Sequence, residues 1–208
     1  MPAPPEQTAQ TPATDLGPVA RQVAALLPRI ADGQLTAPTP CTEYSVAALL
    51  DHFMGLTVAF EHAARKAPDP APPSSDAAAS RPQASADRLD PGWRTLLPRR
   101  LEELAAAWRD PAAWRGSVTV AGATLPAEMM GVVALTELVV HGWDLARATG
   151  QPFDGDPAST GAVLALLNPS ADGPAAAGVY GPPVPVPAGA PPLDRAVGLS
   201  GRDPAWSA

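Results

Sequence analysis

Residues able to do chemistry gather in one apolar stretch. Between Met129 and Val140 only Thr136 and Glu137 are polar, and a helix apolar around most of its circumference belongs in a protein interior. Glu137 and His141 therefore fall where an unpaired charge is costly. They stand four residues apart, with Asp144 three further on. At about 100° per residue the three share an arc of roughly 60° on one helix face. A second polar intrusion is His52, roughly 90° to the side of a stripe made by Val46, Leu49, Leu50, Phe53, Leu56, Thr57 and Phe60. From that flank a side chain can reach a neighbouring helix. His62, by the same count, points away from the core and reads as solvated.

Two imidazoles and one carboxylate, from His52, Glu137 and His141, form a known zinc-ligand set with a fourth position left for water or substrate. Nickel or ferrous iron suits the same donors. An open position on such an ion would hold a thiol as its thiolate, the nucleophile for addition, transfer or isomerisation. The spacing equally permits an ordinary core pair of Glu137 and His141, with His52 a separate, partly buried histidine. Asp144 either orients a ligand histidine or fixes an arginine behind the ligands, or it pairs with Arg147 at i, i+3. Arg147 reads as solvated, with contact to an anionic substrate as the alternative. Cys41 lies four residues before Ser45 with no histidine adjoining it, and reads as a small buried hydrophobe rather than a nucleophile.

The elements that must position these residues are helical. Leu16, Val19, Ala20, Val23, Leu26, Leu27 and Ile30 mark a first helix over 16–31, with Gly33 as its stop. Ser45 caps a second, running to about Lys66. A third opens at Asp90 and Pro91 and reaches about Trp108, with Pro98 inside it to delay or kink it. Residues 117–125, around Ala121 and Gly122, read as a small hairpin or extended connector. Pro126 starts the longest helix, which Gly150 ends. A fifth, short helix fits 157–168. Four main helices predict an all-α, up-and-down or related bundle. The five tryptophans and the Met129–Met130 pair belong to its core.

Prolines delimit the rest. Of 28 in the chain, clusters fall in a leader over 1–13 expected to be disordered, in a loose stretch over 67–91, and in a Pro-Gly-rich segment over 173–192 that excludes helix and central strand. Either of the last two can border a pocket. Residues 14–208 read as a single domain.

Composition excludes several functions. The chain has 208 residues and a net charge of −7, and its 14 Lys and Arg form no basic block, so an electrostatic nucleic-acid footprint is not expected. No run of about 18 apolar residues appears, and residues 1–10 have no signal-peptide character, so no membrane association is expected. One cysteine forbids an internal disulfide and a thiolate-rich zinc site. A cytoplasmic protein is the simplest reading, and a homodimer through an apolar helix face is the oligomer to expect.

The runs TELVVHGWDLARATGQ (136–151) and TPCTEYSVAALLDHFMG (39–55) resemble the mycothiol-dependent maleylpyruvate isomerase N-terminal family, within the DinB-like superfamily of metal-binding four-helix bundles. The tail YGPPVPVPAGAPPLDRAVGLSGRDPAW (180–206) is similar to that of its single-domain, actinobacterial metal-binding branch. The resemblance implies a DinB-like four-helix bundle that binds one divalent metal, usually zinc, through positions that here are His52, Glu137 and His141. It also implies mycothiol as the small thiol, acting with a small electrophile. The isomerase carries a further C-terminal domain of sterol-carrier-like type; this sequence stops before any such domain, so maleylpyruvate isomerisation is not carried over. Relatives commonly have Trp at the position of Tyr44, a matter of packing. A metal-dependent thiol transferase or isomerase is the leading expectation. A non-catalytic metal-binding module, its fourth position closed by Asp144 or a loop residue, is the alternative, and a plain structural bundle is the third.

Overall fold

α2 (Val46–Ala64) and α4 (Ala127–Thr149) are the longest helices, and each is bounded by residues suited to the task. In the computed structural model, which describes residues 14–68, 84–168 and 180–208, the Ser45 hydroxyl accepts from Ala48 N at 3.3 Å and caps α2. α4 leaves the hairpin at Pro126, with Ala127 N donating to Gly116 O at 2.8 Å. It ends at Gly150, whose φ of 67° provides the left-handed C-cap. The leader over 1–13, much of the loose stretch after Ala67 and the first part of the Pro-Gly-rich segment lie outside the described residues.

α1 (Gly17–Leu26) is shorter than its apolar stripe suggests. Pro28 has no N–H to continue the helical ladder, so the chain tightens into a 3-10 turn, Leu27–Arg29. Leu27 and Ile30 stay buried all the same. Gly33 is therefore not the stop of that helix; it sits inside a second 3-10 turn, Asp32–Gln34. α3 (Trp93–Ala107) starts after the Asp90 carboxylate has accepted from Gly92 N at 2.7 Å, and it holds Pro98 in its second turn.

α1 and α2 each pack against both α3 and α4. α1 and α2 thus stand at diagonal corners, as do α3 and α4, while α2 and α3 lie side by side; a plain up-and-down bundle would set every consecutive pair side by side. Leu16, Val19, Val23, Leu49, Phe53, Leu97, Leu104, Leu135 and Leu138 fill the centre and are fully buried. α4 is long and apolar enough by length and composition to cross a bilayer, yet 78% of its apolar window is buried inside the bundle. It is a core helix here.

The expected hairpin is present: β1 (Ser117–Val120) pairs antiparallel with β2 (Ala123–Pro126), Val118 opposite Leu125. Ala121 (φ 51°) and Gly122 (φ 80°) make a turn with both central residues at positive φ, the form that matches strand twist. Beneath it, Gly131 lets α4 approach two indoles; a Cβ there would stand 2.5 Å from the Trp114 ring and 2.8 Å from that of Trp108.

α5 (Pro157–Leu167) is capped by Asp156, which accepts from Ser159 N at 2.9 Å. α6 (Pro192–Leu199), a helix the sequence did not announce, packs on α5 and α4. The non-helical strap over 180–191 leads into it, tied to it by Val184 N donating to Gly198 O at 2.9 Å.

Candidate metal centre

α2 and α4 face each other, and His52 and Glu137 meet across that interface. His52 Nε2 lies 3.1 Å from Glu137 Oε2, and His141 Nε2 lies 3.3 Å from the same oxygen. The two imidazoles meet edge to face, with centroids 4.8 Å apart. One donor atom from each residue lies within 4.8 Å of the others. The His52 side chain is 26% exposed, Glu137 13% and His141 8%, so solvent reaches the cluster from the His52 side.

This donor set fits a divalent ion. Tetrahedral zinc with bonds of about 2.0–2.1 Å has ligand-to-ligand edges of about 3.3–3.4 Å. Separations of 3.1 and 3.3 Å between the imidazole nitrogens and Oε2 already approach such edges.

His141 is held from both sides. Its Nδ1 lies 2.9 Å from Asp144 Oδ2 while Nε2 faces Glu137. With carboxylates at both nitrogens, a ring without an ion is an imidazolium donating twice. Burial alone would lower its pKa, but those hydrogen bonds and negative charges carry it up to about 9. Glu137 is the counterpart: burial would raise its carboxyl, and the hydrogen bonds and charges of His141 and His52 hold it far below the usual carboxylate range. With an ion at Nε2, the Nδ1–H donation to Asp144 would fix the neutral ligating tautomer.

Asp144 is fully buried and also pairs with Arg202, whose Nη2 lies 3.1 Å from Oδ2 and Nε 3.4 Å from Oδ1. Arg202 Nη1 donates to Ser200 O at 2.8 Å. Asp144 thus orients His141 and fixes an arginine at once; the alternative pairing with Arg147 does not occur. Arg147 is exposed and donates to Pro204 O and Trp206 O at 3.1 and 2.7 Å.

Residues 35–46 bring two more side chains in. Thr39 Oγ1, donating near Cys41 O at 2.9 Å and Tyr44 O at 2.8 Å, pins a loop closed by Val46 N donating to Ala37 O at 3.0 Å. The Tyr44 ring thereby stands 5.2 Å from that of His52 and 6.2 Å from that of His141. Cys41 comes within ligand reach of His141 and Asp144. Burial pushes its thiol pKa up, the opposite of what a nucleophile needs. His62 stays apart, its Nδ1 3.4 Å from Pro68 O.

Sequence reasoning missed Tyr180 and Arg202. The Tyr180 hydroxyl donates to Glu137 Oε1 at 3.4 Å, and burial together with the Glu137 charge raises its pKa well above the ordinary phenol value, which keeps it a donor. Both residues come from the segment after 179, where no periodicity marks a buried side chain.

The family described as mycothiol maleylpyruvate isomerase N-terminal domain matches residues 16–146, a span that includes His52, Glu137, His141 and Asp144 but neither Tyr180 nor Arg202. An uncharacterized protein of Mycobacterium tuberculosis strain H37Rv, and one of strain CDC 1551 / Oshkosh, are each 29% identical over 183 residues, covering 86% of this chain and 91% of the relative. The crystal structure of the mycothiol-dependent maleylpyruvate isomerase superposes with a TM-score of 0.54 at 17% identity, over 75% of this chain and 69% of that chain. A mutant of that isomerase gives 0.51 at 20%. At such identities the likeness concerns the fold, the helical DinB-like bundle expected from the sequence.

Proposed function

This chain belongs to the mycothiol maleylpyruvate isomerase N-terminal domain family, and from that membership and the site's geometry we propose that His52, Glu137 and His141 hold one divalent ion, zinc first, nickel or ferrous iron otherwise, in an enzyme that joins mycothiol to a small electrophile or uses it to isomerise one. The observation that carries this reading is the approach of two imidazole Nε2 atoms to one oxygen of Glu137, with the other nitrogen of His141 committed to Asp144.

When bound, the ion supplies a position at which a thiol is held as thiolate at neutral pH. The chain does the rest. Asp144 keeps His141 in the ligating tautomer, and Arg202 occupies both Asp144 oxygens, so that carboxylate is not free to close the remaining position. Charge balance favours an anion there. With both imidazoles neutral, Glu137, Asp144, Arg202 and a divalent ion leave one surplus positive charge in a largely buried cluster, and a thiolate cancels it. The partially exposed edge of His52 gives the thiol its entry. Chemistry of this kind belongs in a reducing compartment, the cytoplasm.

Metal analysis of the purified protein tests the reading. About one equivalent is expected, lost in both His52→Ala and His141→Ala; no metal after reconstitution, or metal retained in both variants, would leave only a structural pair. Mycothiol-dependent consumption of α,β-unsaturated carbonyl compounds then separates an enzyme from a non-catalytic metal module.

A further inference from the structure

The two oxygens of Glu137 have different neighbours. Oε2 faces both imidazoles, whereas Oε1 is turned to the hydroxyl of Tyr180 at 3.4 Å. We propose that Tyr180 is a positioning residue that keeps Glu137 a one-oxygen ligand and so keeps the fourth position of the ion open. This rests on the metal reading above. A carboxylate can ligate with one oxygen or chelate with both. Two histidines plus a chelating Glu137 would already fill the four positions of a tetrahedral ion. Nothing would remain for a thiol. A donor aimed at Oε1 opposes that rotation, because chelation would strip the oxygen of its hydrogen bond and take from the phenol O–H its carboxylate acceptor.

The strap is built to deliver this hydroxyl. Val184 N donates to Gly198 O at 2.9 Å, and the backbone of Gly181 lies so close to Gly201 that a Cβ on Gly201 would come within 2.9 Å of it. Both contacts are with α6 and the turn after it, and α6 packs on α4, the helix that carries Glu137. The phenol and its target are thus anchored to the same element.

Cobalt(II) reports coordination number by its visible absorption, intense when four-coordinate and weak when five- or six-coordinate. In the full chain, Tyr180→Phe removes one oxygen and no ring packing. The expected result is that the variant retains cobalt as tightly as the wild type or more so, while binding of mycothiol, read from the thiolate-to-cobalt charge-transfer band, weakens at least about tenfold. An unchanged mycothiol titration overturns the role of Tyr180 and leaves the metal reading standing. Loss of cobalt from the variant also overturns it, since the hydroxyl would then support the ion rather than the vacancy. A wild-type protein that takes up no cobalt removes the metal reading and this inference together.

Discussion

The two halves of α4 solve the same problem in opposite ways. Its N-terminal half is closed by shape: Gly131 admits the rings of Trp114 and Trp108, and Trp108 Nε1 and Trp114 Nε1 satisfy themselves on Phe60 O and Trp108 O at 3.1 and 2.6 Å. Its C-terminal half is closed by charge, where Glu137, His141, Asp144 and Arg202 alternate in sign from the α2 face inward. The charged half is the more completely buried, with Arg147 its one exposed residue from Val139 to Thr149. Fit tolerates almost no added atom, while pairing tolerates no missing partner. A protein that needs a reactive cluster can place it in the second half without loosening the first.

The largest expected effect tests the charged half. Arg202→Met leaves a fully buried Asp144 short of its guanidinium and should destabilise by about 3–5 kcal/mol, whereas adding Asp144→Leu should restore much of that loss. Thermal melting of the single and double variants checks it; equal melting temperatures for the wild type and Arg202→Met would break the contrast. Next comes the shape-filled half. Gly131→Ala forces a methyl into the indoles and should cost about 1–3 kcal/mol despite better helix propensity, with metal stoichiometry unchanged. A variant that is no less stable would show that the rings yield there.

The gentlest effect is a drift with pH in the metal-free protein. His141 has its pKa raised from 6.5 to about 9, so its stabilisation is complete below about pH 6.5 and is lost as pH rises toward 9. Melting temperature should fall across that window in the metal-free wild type. The fall should shrink in Asp144→Leu/Arg202→Met, which removes the Asp144 partner of His141 and leaves only Glu137, and it should persist in Gly131→Ala. A flat profile in the wild type would mean that His141 contributes no charge there.

Much of this was legible from periodicity. The capping Ser45, the terminal Gly150 and the four-residue step from Glu137 to His141 placed α2, α4 and the three converging side chains, because a helix fixes which residues share a face. The end of α1 was misjudged because Pro28 interrupts hydrogen bonding without interrupting burial: Leu27 and Ile30 keep the apolar rhythm in a different backbone. α6 is eight residues long with three buried aliphatic or alanine side chains ahead of Gly198, too short to stand out from a Pro-Gly-rich stretch. Arg202, in the run Ser200-Gly201-Arg202-Asp203, looks like any solvated loop arginine. Only the long-range approach to Asp144, 58 positions earlier, makes it a buried partner.

Because α1 and α2 stand at diagonal corners, the chain between them cannot turn back on itself and has to travel across one end of the bundle. That detour lays Tyr44 beside the imidazoles and Cys41 beside Asp144. A hairpin between neighbouring helices would have left this end bare. The connectivity itself thus provides a lintel over His52, Glu137 and His141, and shortening the crossing by even a few residues is expected to unroof that cluster while leaving every helix in place.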